Sequence, residues 1–261
     1  MSLPAAFLHA PIAHRGLHDP AAGRVENSLS AVRAAMGAGY GIELDLQLSA
    51  DGQAMVFHDA TLDRLTQATG PVRAQTAAAL RRMRLRGGAD TIPTLAGLCD
   101  AVAGRAPLLI ELKDQGGAPG PGDGALEAAT AQVLAGYDGP VAVMSFNPHM
   151  MVTMAALLPQ VPRGLVTWAV DGPEAVALPA DARAALRDMA LYDAAGACFV
   201  SHDARDLDSP ALARIRARGG AVLCWTVTSP EAEARARRVA DNITFEGYLP
   251  EIAPQRLRAR P

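Results

Sequence analysis

The sequence predicts an α/β fold, a closed (β/α)8 TIM barrel with a small insertion after its second strand. Short apolar runs rich in Val, Ile and Leu alternate with longer Ala/Arg/Leu segments of helical period, the signature of βα units on a parallel sheet. Eight such runs can be picked out along 261 residues, close to the roughly 250 that one barrel uses. An open doubly wound sheet is the runner-up. The chain reads as a single domain over residues 1–261.

The predicted strands are Pro11–His14, Gly41–Leu48, Pro107–Lys113, Val141–Ser145, Gly164–Trp168, Ala197–Ser201, Ala221–Val227 and Asn242–Phe245. Helices are expected over Ser28–Gly39, Leu95–Ala103, Gly124–Ala135, Pro148–Leu158, Asp181–Ala194, Pro210–Arg218 and Pro230–Ala240. Asn27, Asp123, Asn147 and Ser229 precede four of them as N-caps, the last two followed by proline at the first helical position. Between Leu48 and Pro107 the spacing is too long for one βα unit. A short strand, Ala54–His58, opens that interval, and residues 59–93 read as an insertion riding on the barrel, with Arg81, Arg82, Arg84, Arg86 and a Gly-Gly pair. Gly116–Gly124 reads as a flexible loop.

Composition narrows the function classes. A net charge of -3 offers no basic surface for nucleic acid. The three cysteines are scattered in apolar stretches and suggest neither disulfides nor zinc, but buried thiols in a reducing compartment. No segment approaches the roughly 20 apolar residues of a membrane span, and Met1–Ile12 lacks a signal-peptide pattern, so a cytoplasmic location is expected. Oligomeric state is not legible. Lys113 is the only lysine in the chain.

Strand alternation places Glu43 and Asp45 on one face with Leu44 on the other, and likewise Glu111 with Lys113. Carboxylates lining a hydrophobic strand need a cation, and an all-oxygen set suits Mg²⁺ or Ca²⁺ better than zinc. The plainer reading is that Glu43 or Glu111 forms a structural ion pair with Arg15 or Lys113. His14 and His58 end strands at the face where barrel active sites sit, beside that carboxylate cluster, which points to an acid/base pair working near neutral pH. His9, His18, His149 and His202 lack that setting. Arg15 supplies a planar fork for phosphate oxygens, and Gly16 lets the backbone turn tightly beside it. Glu26 can brace Arg15 or touch the metal. Asn27 reads as a simple cap, and Trp225 as either a substrate-facing wall or plain core.

In order, H-R-G at His14–Gly16, E-N-S at Glu26–Ser28, E-L-D at Glu43–Asp45, H-D at His58–Asp59, E-L-K at Glu111–Lys113, S-F at Ser145–Phe146 and W-T-V at Trp225–Val227 resemble the glycerophosphodiester phosphodiesterase family. Each motif is weak alone; the ordered set is specific. The resemblance implies a TIM barrel with an inserted segment after the second strand. It implies one divalent cation held by Glu43, Asp45 and Glu111, catalysis by His14 and His58, and phosphate binding by Arg15 and Lys113. The implied reaction releases glycerol 3-phosphate and an alcohol from diesters such as glycerophosphocholine or glycerophosphoethanolamine. One histidine deprotonates the glycerol 2-hydroxyl for attack on phosphorus and the other protonates the departing alcohol, after which water opens the cyclic phosphate. A lysophospholipase D or sphingomyelinase D type of reaction, which needs an apolar groove, and a non-catalytic phosphate-binding barrel are the alternatives. The sequence departs from the family pattern in two places. The first loop is long, with Val25 where proline is common. The usual G-x-D-G-I-I-T-D-x-P is reduced to Asn242–Glu246, where no site residue is expected.

Overall fold

The structure, a computed structural model, describes residues 1–116 and 119–252. Eight parallel strands close into a barrel: β1 (Ile12–Ala13), β2 (Gly41–Leu48), β4 (Leu108–Leu112), β5 (Val141–Ser145), β6 (Arg163–Thr167), β7 (Phe199–Asp203), β8 (Ala221–Val227) and β9 (Asn242–Phe245). Closure is made by β1, which pairs with both β2 and β9. A short β3 (Ala54–Val56) runs antiparallel along the end of β2.

The helices are α1 (Ala6–His9), α2 (Leu29–Ala38), α3 (Ala77–Leu80), α4 (Leu95–Val102), α5 (Ala125–Leu134), α6 (Pro148–Leu157), α7 (Pro173–Val176), α8 (Ala180–Arg187), α9 (Pro210–Ala217) and α10 (Pro230–Ala236). Apolar positions facing outward from β2 and β4, such as Leu44, Leu46, Ile110 and Leu112, pack against the helices in the main core. The alternate positions fill the barrel: Ile12, Leu109, Ala142, Val166, Phe199 and Leu223 form a separate buried cluster. Gly164 belongs to this interior, since a Cβ there would lie 2.4 Å from the Phe199 ring. Leu3 and Phe7 join the same cluster from below, and Asn242 donates to the carbonyls of Phe7 at 2.8 Å and Ala10 at 2.7 Å. The N-terminal segment thus stoppers the barrel at the end away from the strand C-termini.

The insertion after β3 has its own core of Phe57, Leu62, Leu65, Val72, Leu80 and Ile92. Several expected boundaries shift. β7 runs two residues beyond the predicted end and carries Asp203, while α8 stops at Arg187, with Met189 in the left-handed region at φ 54°. Asn147 and Ser229 cap α6 and α10 as expected. Asn27 does not cap α2: Ser28 does, accepting from Ala31 N–H, and α5 starts from Gly124 with Asp123 accepting from Ala125 N–H. Cys99, Cys198 and Cys224 are buried free thiols. The expected flexible loop Gly116–Gly124 falls partly outside the described residues, and no described helix is long and apolar enough to cross a membrane.

Candidate active site

The parallel register sets Asp45 directly beside Glu111, with Glu43 two residues below on the same face of β2. All three are buried, and one oxygen from each lies within 4.8 Å of the others. Burial above all, then the charges of Asp45 and Glu111, push the Glu43 carboxyl well above the ordinary carboxylate range. Burial likewise raises Glu111 to about 7, with Lys113 opposing and Asp45 adding. Asp45 goes the other way: against the cost of burial, Lys113, His58 and Arg15 hold it ionised.

Two side chains balance part of this charge. Lys113 Nζ lies 2.8 Å from Asp45 Oδ1 and 2.6 Å from Glu111 Oε1. Against the cost of partial burial, these two carboxylates hold its half-buried ammonium well above the usual lysine range. Arg15 donates to Glu26 Oε1 at 2.8 Å and sets its Nε 3.4 Å from Asp45 Oδ2. Its own backbone is left-handed, φ 55°, steadied by its N–H donating to Glu43 Oε2 at 2.9 Å. Gly16 follows at φ 78°, where a Cβ would meet Ala31 Cβ at 2.9 Å, so the turn admits only glycine. The ion pairing weighed from sequence is therefore present, yet it leaves a surplus of acid. Three close carboxylates, two of them hard to ionise, form a donor set that fits a hard divalent cation.

His14 and His58 line the same cavity of about 170 Å³ as Arg15, Glu43, Glu111 and Lys113. Each ring is held at Nδ1 by a carboxylate: His14 by Glu246 Oε2 at 2.6 Å, His58 by Asp59 Oδ1 at 2.7 Å. A carboxylate at Nδ1 selects the tautomer whose Nε2 carries the lone pair. His14 and then His18, 3.8 Å away, hold Glu246 ionised, well below the usual range. Asp59 is held down to about 2 by Arg64 and His58, against the effect of burial. Arg64 clamps both Asp59, at 2.6 and 2.8 Å, and Glu26, at 2.9 and 2.7 Å. Burial lowers His58 below the ordinary histidine value, although Asp45 pulls upward.

All nine residues singled out from the sequence converge here, with differences of detail. Glu26 braces Arg15 and Arg64 and is no part of the acidic triad. Asn27 bridges to the site instead of capping a helix, donating to Asp45 Oδ2 at 2.8 Å and accepting from Asp45 N–H at 3.1 Å. Trp225 lines the cavity as a wall, its indole N–H donating to the Ser201 carbonyl at 3.0 Å. Its ring packs edge to face on Phe146 at 5.4 Å. The sequence reading missed Asp59, Arg64 and Glu246. Asp59 adjoins His58 in sequence, a usable signal; Arg64 had none, and Glu246 lay in the segment set aside for departing from the family pattern.

Residues 14–242 match the profile of the glycerophosphoryl diester phosphodiesterase family. Among similar proteins, glycerophosphodiester phosphodiesterase 1 of Bos taurus is 42% identical over 94 residues, 32% of this chain and 27% of the bovine protein. The chain thus matches about a quarter of that relative's length. A Bacillus subtilis glycerophosphodiester phosphodiesterase is 28% identical over 77% of this chain and 70% of its own. The fold resembles that of an Oleispira antarctica phosphodiesterase solved with the product sn-glycerol-3-phosphate. The TM-score is 0.73 and the identity 24%, over 92% of this chain and 94% of that one.

Proposed function

The chain belongs to the glycerophosphoryl diester phosphodiesterase family, and from that premise we propose that it hydrolyses glycerophosphodiesters to glycerol 3-phosphate and an alcohol by two-histidine acid/base catalysis. One observation carries the reading: two histidines, each oriented by a carboxylate at Nδ1, open on one cavity that also holds the acidic triad. Paired bases with the same tautomer can exchange roles, as a reaction through a cyclic intermediate requires.

In the first step one imidazole Nε2 takes the proton of the glycerol 2-hydroxyl as that oxygen bonds to phosphorus. The other, entering protonated, gives its proton to the departing alcohol oxygen. In the second step the roles reverse: the now-neutral ring takes a proton from water as it attacks the cyclic phosphate, and the first ring returns its proton to the 2-oxygen. Glu246 and Asp59 stabilise the transient imidazolium cations. Glu43, Asp45 and Glu111 would hold one divalent cation, Mg²⁺ or Ca²⁺. When bound, it supplies charge to offset the phosphoryl oxygens. Arg15 and Lys113, on the cavity wall, contribute further positive charge. Phe146 and Trp225 close the apolar side and exclude water.

The test is release of glycerol 3-phosphate from glycerophosphocholine, with and without EDTA, for the wild type, His14→Ala and His58→Ala. Loss of activity in both variants and on chelation is expected. Activity indifferent to all three treatments would sink the mechanism.

A further inference from the structure

Each candidate catalytic histidine is held at Nδ1 by a carboxylate, and each of those carboxylates has a second neighbour. For Asp59 it is Arg64, which donates through Nε at 2.6 Å and through Nη2 at 2.8 Å. For Glu246 it is His18, whose Nε2 lies 3.8 Å from Oε2, the same oxygen that meets His14 Nδ1 at 2.6 Å. That contact is longer than a direct hydrogen bond, yet close enough for a ring N–H and a carboxylate to attract each other. His18 is not among the residues lining the catalytic cavity, so its influence on the reaction passes through Glu246.

Glu246 has more freedom to lose than Asp59. Its side chain is 39% exposed, against 22% for Asp59, and it is one methylene longer. It stands just past the end of β9, its N–H donating to the Val227 carbonyl at 2.9 Å, with Gly247 next at φ 80°. A half-exposed glutamate spreads over several rotamers in water, and a second partner on the same oxygen narrows that spread. His18 is itself pinned by the backbone on either side. Leu17 N–H donates to the Ala31 carbonyl on α2 at 3.0 Å, and Asp19 and Arg24 exchange backbone hydrogen bonds at 2.8 and 3.0 Å. His18 thus comes from the long first loop and Glu246 from the altered last segment. The two departures from the family pattern meet at one carboxylate.

We propose that His18 is a positioning residue, holding the Glu246 carboxylate against His14 and so fixing the His14 ring for proton transfer. The proposal rests on the two-histidine reaction above and adds no step to it.

Two substitutions separate reach from polarity. In His18→Gln the side-chain amide nitrogen stands where Nε2 stood; in His18→Asn it stops a bond short. Both are polar changes at a loop position, so a loss through the loop is shared by the two variants. Loss of the contact is confined to His18→Asn. The expected fall in kcat for His18→Asn is roughly tenfold, the lower end of the range for an outer partner of a functional histidine, with KM unchanged and His18→Gln close to wild type. On a Glu246→Ala background His18→Asn should cause no further loss, because the group it acts through is gone.

Proton NMR follows the same contact without turnover. The short contacts at His14 and His58, 2.6 and 2.7 Å, each place a ring N–H resonance far downfield. The two are assigned as the lines that Glu246→Ala and Asp59→Ala remove. In His18→Asn the His14 line should weaken, while the His58 line, whose Asp59 is clamped by Arg64, stays as in the wild type. An unchanged His14 line, a kcat equal to wild type in His18→Asn, or equal losses in His18→Asn and His18→Gln overturns the positioning role. A wild type that turns over no glycerophosphodiester, with a His14 line that still depends on His18, overturns the reaction and leaves the positioning role standing.

Discussion

Each candidate catalytic histidine depends on a neighbour that fixes its ring, and the two neighbours come from different places. Asp59 is supplied by the next residue in sequence; Glu246 arrives from the far end of the chain, across the closure of the barrel. Glu246→Gln keeps an acceptor at His14 Nδ1 but removes the charge that steadies the imidazolium. A fall in kcat on the order of 10- to 100-fold is expected, the range seen when the outer partner of a functional histidine is lost. A KM effect alone would show that Glu246 only shapes the cavity. Because burial lowers His58, it stays neutral to more acid pH than a free histidine. With His58 as the base of the first step, the acid limb of kcat/KM lies below about 6.5, and an acid limb that does not move in a pH-rate profile assigns that role to His14. The residues legible in the sequence were those whose type and strand parity carry the information: Glu43, Asp45, Glu111, Lys113 and the two histidines. Asn27 and Glu246 were not, because one was fully explained as a local cap and the other acts through a contact that only the closed barrel creates.

At the scale of elements, the strands were legible because parallel strands buried on both faces read as near-continuous apolar runs, and all eight barrel strands match such runs in the sequence. Their ends were less legible. β7 shifts because His202 and Asp203, polar in sequence, are both buried at its C-terminal end. The short α1 has no helical period to reveal it, being a single turn that fills the barrel's lower end. Interior packing makes a sharp prediction at β6. Gly164→Ala would drive a methyl into the Phe199 ring, which is fully buried in the barrel. The expected cost is about 1–3 kcal/mol of overpacking, read as a lower urea midpoint at unchanged m-value. An unchanged midpoint would mean that the interior has slack.

At the scale of the whole molecule, the site joins charge to stability. Glu43 and Glu111 hold protons more tightly in the folded chain than unfolded, Glu111 up to about 7. As pH rises from the ordinary glutamate value, about 4.3, to about 7, the folded state binds more protons than the unfolded one, so the stability these groups contribute is lost across that window. A cation that binds their ionised forms reverses the loss, and its affinity increases as they deprotonate. The Tm difference between Mg²⁺- or Ca²⁺-saturated and EDTA-treated protein should therefore widen from pH 5 to pH 8. A gap constant across that range would argue against the triad as the ion's seat.

Lys113 carries the same coupling into covalent chemistry. As the only lysine, it is the single side-chain amine in the chain, and two members of the acidic triad, 2.8 and 2.6 Å away, hold it as an ammonium that an acylating reagent modifies slowly. Apart from the terminal amine, such a reagent therefore meets one slow site per chain. A change in that labelling rate thus becomes a footprint of whatever alters the charge around the amine.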